Sequence, residues 1–259
     1  MEPTRVRPRM TLTARRRPAS TTATRLVAVD VVRGVAILAV IAFHLTWDLG
    51  SLDLIGTHIG STPWGRAISH TIAGTFLLLV GVSLVLAHRE RFRAASFWRR
   101  EVQLVGYAVL VSVATYLFLP HQWVSFGILH AIAVSSVLAL PFVHASRATA
   151  VGAIGLAVAL PQLVTIPGDS RWWSWTGLTE GVRPTIDSAP LLPMLALTLA
   201  GVLVMRSLQG SATEERLASW RPERGAGGAL AFLGRHTLAI YLLHQPVLLV
   251  LLHGYVLLR

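Results

Sequence analysis

"VDVVRGVAILAVIAFHLTWDL", residues 29–49, decides the fold. As a helix it reaches about 30 Å, the hydrocarbon thickness of a bilayer. Seventeen of its 21 residues carry no ionisable side chain; the exceptions are Asp30, Arg33, His44 and Asp48. A charge at the bilayer centre costs at least about 2.5–3.5 kcal/mol on insertion scales, so such residues face a bundle interior or a watery cavity. At about 100° per residue, the four fall within an arc of about 60°. They form one polar stripe. The opposite face, Val32, Val35, Leu38, Ala39 and Ala42, is wholly apolar and suits lipid or neighbouring helices.

The stripe has two ends. Asp30 and Arg33, three residues apart, are placed for a local ion pair near one interface. His44 and Asp48, four apart, are placed for a carboxylate–imidazole pair. A carboxylate on one ring nitrogen fixes the tautomer and makes the other nitrogen a better base. That combination of base and orienting group is the one acyl-transfer sites use.

The rest of the chain agrees with a membrane reading. Of 259 residues, 53% are hydrophobic and 14% charged, with mean hydropathy +0.60. Ordinary soluble domains carry about 25% charged residues. Apolar segments run at 27–49, 67–87, 101–119, 126–143, 148–166, 190–206 and 229–252. They predict an all-α integral membrane protein, a bundle of about seven transmembrane helices forming one domain over 26–259. Residues 1–25, rich in Arg, Thr, Pro and Ala without apolar period, predict a disordered tail. The first apolar stretch is too long for a signal peptide and lacks a small-residue cleavage site, so it reads as an uncleaved helix.

All 23 basic residues are arginine, and the net charge is +11. They sit in short connections between apolar segments, which points to topology rather than nucleic acid. With the N-terminus inside, 17 arginines lie in inside connections and 4 in outside ones. This bias predicts a multi-pass plasma-membrane protein with a cytoplasmic N-terminus and an outside C-terminus. The most basic loop, "HRERFRAASFWRR" (88–100), suits anionic lipid headgroups, or a cytoplasmic anionic ligand. Trp172, Trp173 and Trp175 in the outer loop suit an interfacial belt.

Further polar residues interrupt later segments. "FGILHAIAVSS" (126–136) carries His130, expected at the depth of His44. "TIDSAPLLP" (185–193) puts Asp187 before a helix, where an acid favours the macrodipole. "GRHTLAIYLLHQP" (234–246) carries Arg235 near the inner end, then Tyr241, His244 and Gln245, with Pro246 expected to kink the helix. The absence of cysteine excludes disulfides, thiolate metal sites and a cysteine nucleophile. The histidines show no metal-ligand spacing, so no metal is predicted.

These stretches, with "TFLLLVGVSLVLA" between them, occur in an order that resembles the heparan-α-glucosaminide N-acetyltransferase catalytic-domain family, in its bacterial branch. That family stands in a wider transmembrane group with the acyltransferase-3 proteins. The likeness covers roughly residues 25–250. It implies transfer of an acyl group, usually acetyl, from cytoplasmic acyl-CoA to an acceptor at the outer face, often a sugar. Acyltransferase-3 relatives carry Arg, ten residues, then His in their first helix, and Arg33 and His44 match that spacing. The resemblance implies His44 as catalytic histidine, either base or transient acyl carrier. It implies Asp30 and Arg33 as the CoA-facing part, with His130, Asp187, Tyr241 and His244 on family motif positions. Arg235 suits a CoA phosphate or an interfacial anchor. The chain is shorter than eukaryotic members and has no added acceptor-choosing domain, so a heparan substrate does not follow. The expected partners are lipid, acyl-CoA as co-substrate and a carbohydrate acceptor, without nucleic acid.

Two other classes fit the residues without the resemblance. A transporter or proton pathway also uses intramembrane His, Asp and Arg, though no internal repeat is visible. A non-catalytic partner of an envelope enzyme would need the stripe only for stability.

Overall fold

The computed structural model describes residues 25–181, 185–222 and 224–258. The tail expected to be disordered lies, apart from Arg25, outside them. Among the described residues the chain is all-helical, with only an isolated bridge between Ile166 and Thr179.

The helices are α1 (Val27–Ser51), α2 (Pro63–His88), α3 (Ala94–Phe118), α4 (Ile128–Ala139), α5 (Arg147–Leu163), α6 (Arg171–Ser174), α7 (Leu191–Leu208), α8 (Ala212–Ser219), α9 (Gly225–Arg235) and α10 (Thr237–Leu257). Five of them, α1, α2, α3, α7 and α10, are long and apolar enough to cross a membrane. Each of the seven apolar segments is helical, but two fall short of that length. The fourth ends at Ala139 and tightens into a 3₁₀ turn over Leu140–Val143, where Pro141 cannot donate to the helix. The fifth is α5, of 17 residues.

The seventh segment differs from its expected shape. It divides at His236, whose φ of −105° and ψ of 13° bend the chain between α9 and α10. Pro246 does not break α10, which continues to Leu257. Thr237 Oγ1 donates to the Gly234 carbonyl at 2.8 Å, satisfying a carbonyl at the bend.

The core lies where α2, α4 and α7 meet, around Leu77, Val85, Ala131, Leu199 and Val202. Two crossings bring backbones together. Gly81 lies against the Thr198 carbonyl while Gly201 lies against Leu78, so α2 and α7 interlock through glycine. Gly34 lies against the Leu230 carbonyl while Gly234 lies against that of Asp30, which joins α1 to α9 in the same way. Small residues are what permits such approach in a bilayer, where no hydrophobic force drives helices together. The apolar face of α1 is exposed at Val32, Val35, Leu38 and Ala42, as a lipid-facing stripe requires.

Candidate functional site

The polar stripe of α1 is satisfied at its N-terminal end. Asp30 is buried, and its carboxylate accepts from Arg25 Nε at 2.8 Å and Arg33 Nη1 at 3.4 Å. The expected Asp30–Arg33 pair is present, and Arg25, assigned to the tail, completes it. Arg33 Nη2 donates to Ser83 Oγ of α2 at 2.5 Å. Arg25, Asp30, Arg33 and Ser83 line a cleft of about 230 Å³. Arg221 is nearby, donating to the Arg25 carbonyl at 3.2 Å. The cleft presents guanidinium groups partly committed to Asp30, which suits an anion such as phosphate.

The far end of the stripe is built differently. Asp48 does not hold His44. Both Asp48 oxygens accept from Gln245 Nε2 at 3.0 Å. A longer, neutral donor on a packed helix replaces the imidazole because α10 lies against α1 there. His44 instead meets His244, edge to face, with ring centroids 4.9 Å apart. His244 Nδ1 bonds the Tyr241 carbonyl at 2.6 Å. Two polar atoms of this cluster, His244 Nε2 and Gln245 Oε1, are buried without a hydrogen-bond partner among the described residues. Native structures pair most such atoms, and an exception marks a ligand, a water or a catalytic role.

Asp187 stands before α7 as expected, but its hydrogen bonds run elsewhere. It does not cap the helix that follows it. Its Oδ2 accepts from the Ile128 backbone N–H at 2.9 Å, at the start of α4, and from Tyr241 Oη at 3.4 Å. Gly127 lets it approach, since a side chain there would occupy the carboxylate's place. Burial pushes the Asp187 carboxyl above the ordinary range, against the pull of those two bonds. Asp187 thus ties the loop between α6 and α7 to α4 and to the helix bearing His244.

His130 stands apart from His44. Its Nδ1 accepts from the Gly127 N–H at 3.2 Å, and its Nε2 faces Ser112 Oγ at 3.4 Å. Phe126 lies against its ring at 5.4 Å. Both nitrogens serve the α3–α4 junction. Arg235 is exposed and stacks over Phe232 of its own helix at 5.9 Å, outside the cleft. Trp172 and Trp173 are exposed as a belt requires, whereas Trp175 packs on Phe126 at 5.7 Å.

Of the residues singled out in the sequence, the structure gathers Asp30 and Arg33 in the cleft and His44, Asp48, Tyr241 and His244 where α10 meets α1; Ser83 and the role of Gln245 were not read from the sequence. The signal for Gln245 was its place beside His244 in a helix otherwise free of amides. Among the described residues no three His, Asp or Glu side chains cluster as a metal site.

Comparison with known proteins identifies a family. The family described as heparan-alpha-glucosaminide N-acetyltransferase, catalytic, matches residues 25–246. The match begins at Arg25 of the cleft and ends one residue beyond Gln245. No curated protein and no solved structure matches the chain. The chain belongs to the heparan-alpha-glucosaminide N-acetyltransferase catalytic-domain family, and membership implies membrane acetyltransferase activity.

Proposed function

We propose that this protein moves an acetyl or other acyl group from cytoplasmic acyl-CoA to a hydroxyl or amine of a sugar at the outer membrane face. The observation that carries the reading is the His44–His244 pair, with unpartnered acceptor atoms beside it in the bundle. Such a site supplies nitrogen lone pairs where an acyl carbon and a nucleophile would meet.

The roles divide along α1. The CoA phosphates sit in the cleft of Arg25, Arg33 and Ser83. The thioester reaches toward His44, the catalytic histidine, which is about 16 Å farther along the helix. The acceptor comes from the opposite side, past Asp187 and Tyr241. The bundle keeps water from the thioester, which protects it from hydrolysis. The arginine bias supports a cytoplasmic N-terminus, an outside C-terminus and residence in the plasma membrane. A carbohydrate acceptor rests on the family's printed name alone.

The test is CoA release by the full chain in nanodiscs, given acetyl-CoA and a pool of amino sugars and glycans, with His44→Ala alongside. Release that requires both an acceptor and His44 supports the reading. Release by a folded His44→Ala protein at the wild-type rate sinks the role of His44. Absence of release by wild-type protein sinks the acyltransferase reading and makes solute or proton flux the next assay.

A further inference from the structure

We infer that His244 is the proton acceptor for the incoming nucleophile, which leaves His44 to face the acyl carbon. The inference rests on the acyltransferase reading above. It starts from a hydrogen bond whose direction chemistry fixes. A backbone carbonyl only accepts, so the 2.6 Å contact between His244 Nδ1 and the Tyr241 carbonyl requires the proton on Nδ1. In a neutral imidazole the other nitrogen then carries a bare lone pair. That nitrogen, Nε2, is buried and has no partner.

His130 shows what a structural histidine looks like in this fold. It holds the opposite tautomer. Nδ1 takes the Gly127 N–H, so the ring proton sits on Nε2, opposite Ser112 Oγ, which itself donates to the Val124 carbonyl at 2.6 Å. Every polar atom there is used. At His244 one atom is used for orientation and the other is held in reserve.

The surroundings supply acceptors rather than donors. Gln245 gives its amide nitrogen to Asp48, which leaves Gln245 Oε1 buried and unpartnered next to His244. The unpaired acceptor at His244 Nε2 calls for a ligand with a hydrogen to donate. A thioester has none, whereas a hydroxyl or amine does. The site therefore fits the nucleophile, not the acyl donor. Tyr241 acts as a positioning residue. Its carbonyl sets the tautomer, and its hydroxyl is anchored on Asp187.

The step balances. The acceptor's O–H or N–H proton passes to His244 Nε2. The freed electron pair bonds the thioester carbonyl carbon, and the carbon–sulfur bond breaks. The thiolate leaves and takes the proton from His244, so CoA departs as the thiol and the imidazole returns to its starting form.

The experiment uses the full chain in nanodiscs with two readouts. Nitrogen-15 NMR of histidine-labelled protein, with His244 assigned by its loss in His244→Asn, should show a protonated Nδ1 and a bare Nε2. A protonated Nε2 on neutral His244 overturns the inference. CoA release from acetyl-CoA with the amino-sugar pool supplies the second readout. Asn at 244 keeps a donor near the Tyr241 carbonyl and deletes Nε2. Loss of a general base lowers turnover by at least about 100-fold, and this is the expected fall for His244→Asn. A structural role predicts instead that Asn, retaining the Tyr241 bond, keeps most of the turnover, and that result overturns the inference. Wild-type protein that releases no CoA removes the underlying reading and the inference with it, a failure visible before any variant is made.

Discussion

The two ends of the α1 stripe carry similar residues and solve opposite problems. At the N-terminal end, Asp30 is met by two arginines, and Arg33 by Asp30 and Ser83. At the other end, among the described residues, Asp48 is hydrogen-bonded by an amide alone, and a histidine nitrogen and an amide oxygen nearby have no partner. A satisfied network in low dielectric specifies the structure and resists change. An unsatisfied one costs stability, and a fold retains it where a ligand completes the bonding. The difference separates the end that anchors the helix from the end at which the proposed reaction takes place.

The largest stability effect is expected from breaking the anchored end. Asp30→Ala leaves Arg33 without its carboxylate and should cost about 3–5 kcal/mol, read from detergent-titrated unfolding. A loss near zero would show that the pair does not hold α1. At the other end Gln245→Leu strips from Asp48 its hydrogen-bond donor among the described residues and should cost about 1.5–3 kcal/mol. It should also lower CoA release, since α10 then loses its tie beside His244.

Asp187→Ala exposes the start of α4 and should cost about 0.5–2 kcal/mol, the range for loss of a helix N-terminal acceptor. Asp187→Asn, which keeps an acceptor, should restore most of that. A smaller effect belongs to Glu214, outside the stripe. Burial pushes its carboxyl up, but the Gly210 N–H and Arg89 outweigh burial and hold it below its ordinary 4.5. A depressed carboxyl stabilises the fold above its unfolded value and loses that effect as pH falls through the folded one. Glu214→Gln should therefore cost about 1 kcal/mol at neutral pH, with the gap to wild type closing in acid. Smallest of all in stability is His44→Gln, expected within about 0.5 kcal/mol while CoA release collapses. A large loss of stability there would make His44 part of the anchor and erase the contrast.

Much of this was legible early. The stripe of Asp30, Arg33, His44 and Asp48 follows from helical period alone, and its exposed opposite face follows with it. The Asp30–Arg33 pair was legible because both partners lie on one helix at a spacing that brings side chains together. The His44–Asp48 pair had the same local warrant and does not form, because Gln245 of a distant helix competes for the carboxylate and wins. The partners of Asp187 were hidden for a similar reason. Its nearest helix in sequence is α7, yet the N–H it satisfies belongs to α4, 59 residues earlier.

The sequence by itself determined the class of the protein. Long apolar segments, connections whose basic residues are all arginine, and one polar face leave a membrane bundle as the arrangement that hides the charges and satisfies the backbone. The ordered motifs placed it beside its family. Only the tertiary structure decided which polar atoms meet and which stay free. The bend at His236 and the glycine crossing of Gly34 and Gly234 set where α10 lies on α1. That placement gives Asp48 to Gln245 and His44 to His244, a choice made by packing between helices and invisible to periodicity within one.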